Sequence, residues 1–123
     1  MLYSDTYMDH FNSPRNVGEI ENPSAKAEVE HEGGGCFDRL RVTLAVENGV
    51  ITQAMFKARA CSGTIAAASA ATEWAAGKPL TEAAQLTAEA LDELLGGVPE
   101  KKQHSIELAS EGIRNAAKEA LGE

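Results

Sequence analysis

The sequence predicts an α+β fold, a small three-stranded antiparallel sheet packed against helices. Three observations carry this. Leu40, Val42, Leu44 and Val46 alternate with Arg41, Thr43 and Ala45, the period of a half-buried strand. Asn48-Gly49 then separates that run from a second one over residues 50–60, and Asn-Gly between two such runs is a strong hairpin signal. After Cys61 the pattern changes to helix: residues 64–76 hold seven alanines with Ile65 and Trp74.

The remaining elements follow in order. Leu2, Tyr3, Tyr7, Met8 and Phe11 recur at helical spacing and give a helix over 2–12, stopped by Asn12-Ser13-Pro14. Residues 13–24, with Pro14, Gly18 and Pro23, read as loop. Ala27, Val29 and His31 alternate weakly and predict an edge strand over 26–32. The three glycines at 33–35 turn the chain or make a bulge. In the return strand, Ile51, Gln53, Met55 and Lys57 are assigned to one face, and Ala54, Phe56 and Ala58 to the other. Gly77 and Pro79 stop the alanine-rich helix. Short helices are expected at 80–86 and 88–95, the second capped by Thr87. Gly96-Gly97 breaks the chain. A last helix after Pro99 presents Ile106, Ala109, Ile113, Ala116, Ala117 and Ala120 as its apolar stripe.

A chain of 123 residues is expected to form one domain, residues 1–123, and to bury roughly two-thirds of its unfolded surface without a disulfide. The opening Met1-Leu2-Tyr3-Ser4-Asp5 lacks the charged, apolar, small order of a signal peptide. No apolar run approaches the ~20 residues that span a bilayer. A cytoplasmic, reducing compartment is therefore expected, where thiols serve as metal ligands or reactive groups. With 19 acidic and 11 basic residues the net charge is −8, which argues against nucleic acid as a partner.

Four residues make a candidate metal site: Cys36, Asp38, Cys61 and His104. Cys36 follows three glycines, which let backbone approach a cofactor closely. Asp38 lies two residues on and shares the same side of an extended chain. Cys61 sits at the strand-to-helix junction, where exposed N–H groups favour the thiolate. His104 stands near a helix start and offers a neutral ring nitrogen. Two thiolates, a carboxylate and an imidazole suit either zinc or an iron–sulfur cluster. Taken singly, each residue also has a structural explanation: a buried thiol, a turn aspartate, a helix-start histidine. Trp74 and Tyr7 read as packing residues.

The motifs resemble those of the U-type iron–sulfur assembly scaffolds (IscU and the NifU N-terminal domain). The resemblance runs through Tyr3-Ser4-Asp5, Asp9-His10-Phe11-Asn12-Ser13-Pro14-Arg15-Asn16-Val17-Gly18 and Gly35-Cys36-Phe37-Asp38. It continues through residues 56–66, around Cys61-Ser62-Gly63-Thr64, and through 71–78, around Glu73-Trp74. It covers nearly the whole chain. The resemblance implies three antiparallel strands backed by helices. It implies a non-enzymatic scaffold on which a 2Fe–2S cluster forms transiently from iron and sulfur supplied by a cysteine desulfurase, before passing to iron–sulfur acceptor proteins. Cys36, Asp38 and Cys61 match the first cysteine, the aspartate and the second cysteine of the family's ligand set.

The departure lies at the third cysteine. Aligned on Ser105-Ile106, Gln103 replaces the family's histidine and His104 replaces its third cysteine. Imidazole can ligate iron, as in Rieske-type centres, but cannot accept a persulfide. Cys36 or Cys61 must then receive any sulfur. The alternatives are a degenerate scaffold that only docks a desulfurase, and a zinc-dependent sulfur acceptor. The insertion typical of the SufU branch is absent. The resemblance also links Tyr3 to self-association as a homo-oligomer, while an anchor for the N-terminal helix explains it equally well.

Overall fold

The structure, a computed structural model, describes residues 3–33 and 36–123, with the backbone alone for Glu32, Gly33, Cys36 and Phe37. Helix α1 spans Asp5–Asn12. Strands β1 (Ala25–Gly33), β2 (Cys36–Glu47) and β3 (Val50–Arg59) form an antiparallel sheet in chain order. Helices α2 (Ser62–Ala75), α3 (Leu80–Ala83) and α4 (Ala88–Leu94) follow. A 3₁₀ turn over Glu100–Lys102 leads into α5 (Gln103–Leu121). The expected α+β architecture is what the chain forms.

Local chemistry explains the boundaries. Ser4 caps α1 by accepting from the Tyr7 N–H at 3.0 Å, so the helix starts three residues later than its apolar spacing suggests. The Ser4 hydroxyl also donates to the Leu95 carbonyl, which ties the start of α1 to the end of α4. Asn48 and Gly49 both take positive φ, 53° and 77°, as a type I′ hairpin turn requires. Thr87 caps α4 through the Ala90 N–H at 3.1 Å. The helix expected over 80–86 is a single turn: Gln85 and Leu86 hydrogen-bond to carbonyls only three residues back and the chain leaves helical geometry.

Helices α2 and α5 pack side by side on one face of the sheet, α2 over β3 and α5 over β1 and β2. Leu40, Val42, Leu44 and Phe56 meet Ala66, Ala67, Ala70, Ile106, Ala109 and Ile113 in the core. Gly112 lets α5 settle closely on the sheet, since a Cβ there would meet Val42 Cγ2 at 3.0 Å. One face assignment is corrected. Ala45 pairs with Gln53 but Val46 pairs with Ile51, so Thr52 is an extra residue in β3. That bulge turns Ile51 into the core, fully buried on the side of Ala54 and Phe56. Thr43 is buried as well, because the 13–24 loop folds over it and the Ile20 N–H donates to its hydroxyl at 3.1 Å.

That loop is held by the N-terminal motif. Arg15 donates to Asp9 at 2.6 Å and its N–H to Ser69 Oγ at 2.8 Å, while Asn16 donates to Thr72 at 3.3 Å. The Asn16 carbonyl and the Gly18 N–H then pair with the free edge of β3 at Phe56. The motif thus straps the loop to α2 and covers a sheet edge. Among the described residues no helix is long and apolar enough to cross a membrane.

Candidate metal centre

The end of the sheet near the β1–β2 turn, the start of α2 and the start of α5 converge at one place. Asp38 comes from β2, opposite His31 of β1. Cys61 is the N-cap residue of α2, with extended backbone and no side-chain capping bond, which leaves its sulfur available. His104 is the second residue of α5. One ligand atom from each of Asp38, Cys61 and His104 lies within 4.8 Å of the other two. The Cys36 backbone pairs with Gly33 at the end of the same hairpin. Its side chain lies outside the described residues.

Asp38 is almost completely buried, and its hydrogen bonds explain how. Oδ2 accepts from the Thr64 hydroxyl at 2.7 Å, and Oδ1 accepts from the Cys61 N–H at 3.4 Å. The carboxylate therefore engages the first turn of α2, where unpaired amides favour an anion. Oδ2 lies 3.9 Å from Cys61 Sγ and 3.6 Å from His104 Nε2. The His104 ring stacks on His31 with centroids 4.9 Å apart and planes inclined by 22°.

Cys61 is partly exposed and its thiol is tuned by neighbours. Burial pushes it up and Asp38 pushes it the same way. The Thr64 hydroxyl and N–H and the Ser105 hydroxyl outweigh both and hold it below the ordinary thiol value. Thr64 Oγ1 lies 3.6 Å from the sulfur and 2.9 Å from Ser105 Oγ, which is 3.5 Å from His104 Nε2. Thr64 and Ser105 thus form a hydroxyl bridge beneath all three candidate ligands. A partly exposed thiol held toward thiolate is a competent nucleophile and soft-metal ligand. Beside a carboxylate and an imidazole, it makes a mixed soft and hard donor set open on one side.

Sequence reasoning named Asp38, Cys61 and His104, and all three meet. It missed Thr64, Ser105 and His31. Thr64 carried a usable signal: it stands three residues beyond an N-cap cysteine, where a hydroxyl faces back to the cap. Gln103, aligned with the family's histidine, turns away and donates to Asp92 Oδ1 and the Val98 carbonyl. Tyr3 packs against the core with its ring 5.1 Å from Tyr7, in keeping with an anchoring role. Trp74 is half-buried under the Lys78 ammonium.

Residues 2–122 match the family model described as the NifU-like N terminal domain. The chain is 38% identical over 115 residues to the iron-sulfur cluster assembly scaffold protein IscU 1 of Archaeoglobus fulgidus, covering 94% of this chain and 74% of that protein. It is 36% identical over 121 residues to IscU of Azotobacter vinelandii, covering 97% and 94%. Among solved structures, the NifU-like N-terminal protein of Brucella abortus superposes with a TM-score of 0.71 at 15% identity, covering 98% and 94%. A putative SUF-system scaffold from Fervidobacterium islandicum gives 0.68 at 19% identity, covering 94% and 96%. These two share the fold. By its match to the family model and to the IscU proteins, this chain belongs to the NifU-like N-terminal domain family.

Proposed function

We propose that the protein is an iron–sulfur cluster assembly scaffold that builds a 2Fe–2S cluster on Cys36, Asp38, Cys61 and His104 and passes it to acceptor proteins. The convergence of Asp38, Cys61 and His104 within 4.8 Å supports the reading, because the residue in place of the family's third cysteine is itself of a metal-ligating type and its ring lies beside the other two donors. Two soft and two harder donors hold a cluster less tightly than four thiolates, which suits release.

Sulfur arrives as persulfide from a cysteine desulfurase. The Cys61 thiolate attacks the outer sulfur, forming a new S–S bond at Cys61 and releasing the desulfurase thiolate. Imidazole cannot form that bond, which leaves Cys36 and Cys61; Cys61 is taken as the acceptor because its thiol is free, partly exposed and held toward thiolate.

Anaerobic reconstitution with ferrous iron and sulfide tests this. The expected product is a visible chromophore with iron and acid-labile sulfide in equal amounts. A folded chain that takes up neither iron nor sulfide overturns it. The same three donors also suit a tetrahedral zinc ion with one open position. Zinc without labile sulfide in anaerobically purified protein would favour that second reading.

A further inference from the structure

We propose that Tyr7 forms part of a sulfur-binding subsite, its hydroxyl donating a hydrogen bond to anionic sulfur carried on Cys61. This rests on the reading above that Cys61 carries sulfur. Tyr7 is fully buried, and its hydroxyl has no hydrogen-bond partner among the described residues. Burying a hydroxyl without a partner is unfavourable, and a phenylalanine would fill the same apolar space without that penalty. The hydroxyl is therefore explained by a partner that comes and goes.

Its position says which partner. A Cβ built on Gly63 would lie 2.8 Å from Tyr7 Oη, 3.4 Å from Ser105 Oγ and 3.4 Å from Lys102 Cδ. The hydroxyl thus sits against the first turn of α2, beside the Thr64–Ser105 bridge and two residues from Cys61. Only a glycine at 63 leaves this space. The Ser62 and Gly63 amides precede the first bonds of α2, which Thr64 and Ile65 make to the Cys61 carbonyl, and they face the same end. A sulfur bonded to Cys61 extends about 2 Å beyond Sγ. An anion there would meet the amides of α2 and the Tyr7 hydroxyl together. Burial, with Tyr3 and Cys61 adding to it, pushes the Tyr7 phenol up to about 12, so the hydroxyl keeps the proton it would donate.

Two sulfur species fit, a cluster sulfide and a persulfide, and two arms separate them. In the first, full-length wild type and Tyr7→Phe are reconstituted with ferrous iron and sulfide and then challenged with EDTA. Loss of one hydrogen bond to charged sulfur should shorten the chromophore's lifetime roughly tenfold and shift its visible bands. In the second, a Cys36→Ala background with and without Tyr7→Phe is loaded from inorganic polysulfide, and persulfide on Cys61 is followed by mass spectrometry during treatment with a thiol. A shorter persulfide lifetime in the Tyr7→Phe chain assigns the bond to that species. Unloaded Tyr7→Phe should melt at or above the wild-type temperature. Unchanged lifetimes in both arms overturn the proposal, as does a clear drop in the unloaded Tm, which would mean the hydroxyl already has a structural partner. A wild type that forms persulfide but no chromophore overturns the cluster reading alone, and the second arm then decides Tyr7.

Discussion

His104 Nε2 stands 3.6 Å from the buried Oδ2 of Asp38, and the ring is held there by stacking on His31. The helix start and the strand end are thereby joined through two potential ligands. His104→Ala should strip the reconstituted protein of most of its iron at equimolar EDTA, while His104→Cys should retain it and move the chromophore toward that of three thiolates and one carboxylate. His31→Ala removes the stacking partner and no assigned ligand, so iron affinity should fall by about 10- to 100-fold, the usual effect of losing an orienting neighbour. Iron retained equally by His104→Ala and wild type would remove His104 from the site.

Most of the fold was legible because its signals are local. The alternation from Leu40 to Leu44, the Asn48-Gly49 turn and the stripe from Ile106 to Ala117 each report burial through spacing alone. Ile51 was misassigned because strict alternation assumes an unbroken ladder, and the extra Thr52 is set by pairing with Ala45, which spacing cannot report. Of the site, the ligand types were legible but their support was not. Thr64 and Ser105 meet at 2.9 Å across 41 positions of sequence, and Tyr7 reaches Gly63 only because α1 packs on α2. The Asp9-His10 and Pro14-Arg15-Asn16 motif identified the family, yet its hydrogen bonds fasten a loop to α2.

The Thr64 hydroxyl serves both Asp38 and Cys61. Thr64→Val keeps the shape and removes that hydroxyl. Burial and Asp38 then act on the Cys61 thiol with less opposition, so its ionisation should move up. Iodoacetamide alkylation against pH, in a Cys36→Ala background, reads this directly. The midpoint should lie below 9.0 with Thr64 present and rise when valine replaces it. An unchanged midpoint would show that the α2 amides alone set the thiol.

His10 gives the fold a pH dependence of known sign. Its Nδ1 lies 2.8 Å from Ser69 Oγ and 3.1 Å from Arg15 Nη1, so this nitrogen accepts and the proton resides on Nε2, toward Glu73 at 3.6 Å. Burial, reinforced by Arg15, holds the imidazole below its ordinary value of 6.5. The unfolded chain therefore binds a proton at a pH where the folded chain does not, and stability rises with pH through that window. The contribution is complete above 6.5 and is lost as pH falls through the folded value. Tm measured from pH 7.5 downward should decline from about 6.5 in wild type, and His10→Gln should flatten that part of the curve.

Gly63 and Tyr7 make an energetically coupled pair. A Cβ at 63 would stand 2.8 Å from Tyr7 Oη, closer than real side chains come, and the phenol it would displace is fully buried. Alanine is ordinarily the better helix residue by about 1 kcal/mol. Here overpacking of ~1–3 kcal/mol opposes that gain, so Gly63→Ala alone should lower Tm by several degrees. Tyr7→Phe removes the clashing oxygen, and the ring edge then meets the new methyl at ordinary contact distance. The double variant should recover most of the lost stability and show a coupling of ~1 kcal/mol or more in a double-mutant cycle. Additive effects in that cycle would place the Tyr7 hydroxyl away from the first turn of α2, and would remove the geometric basis for a sulfur-binding role.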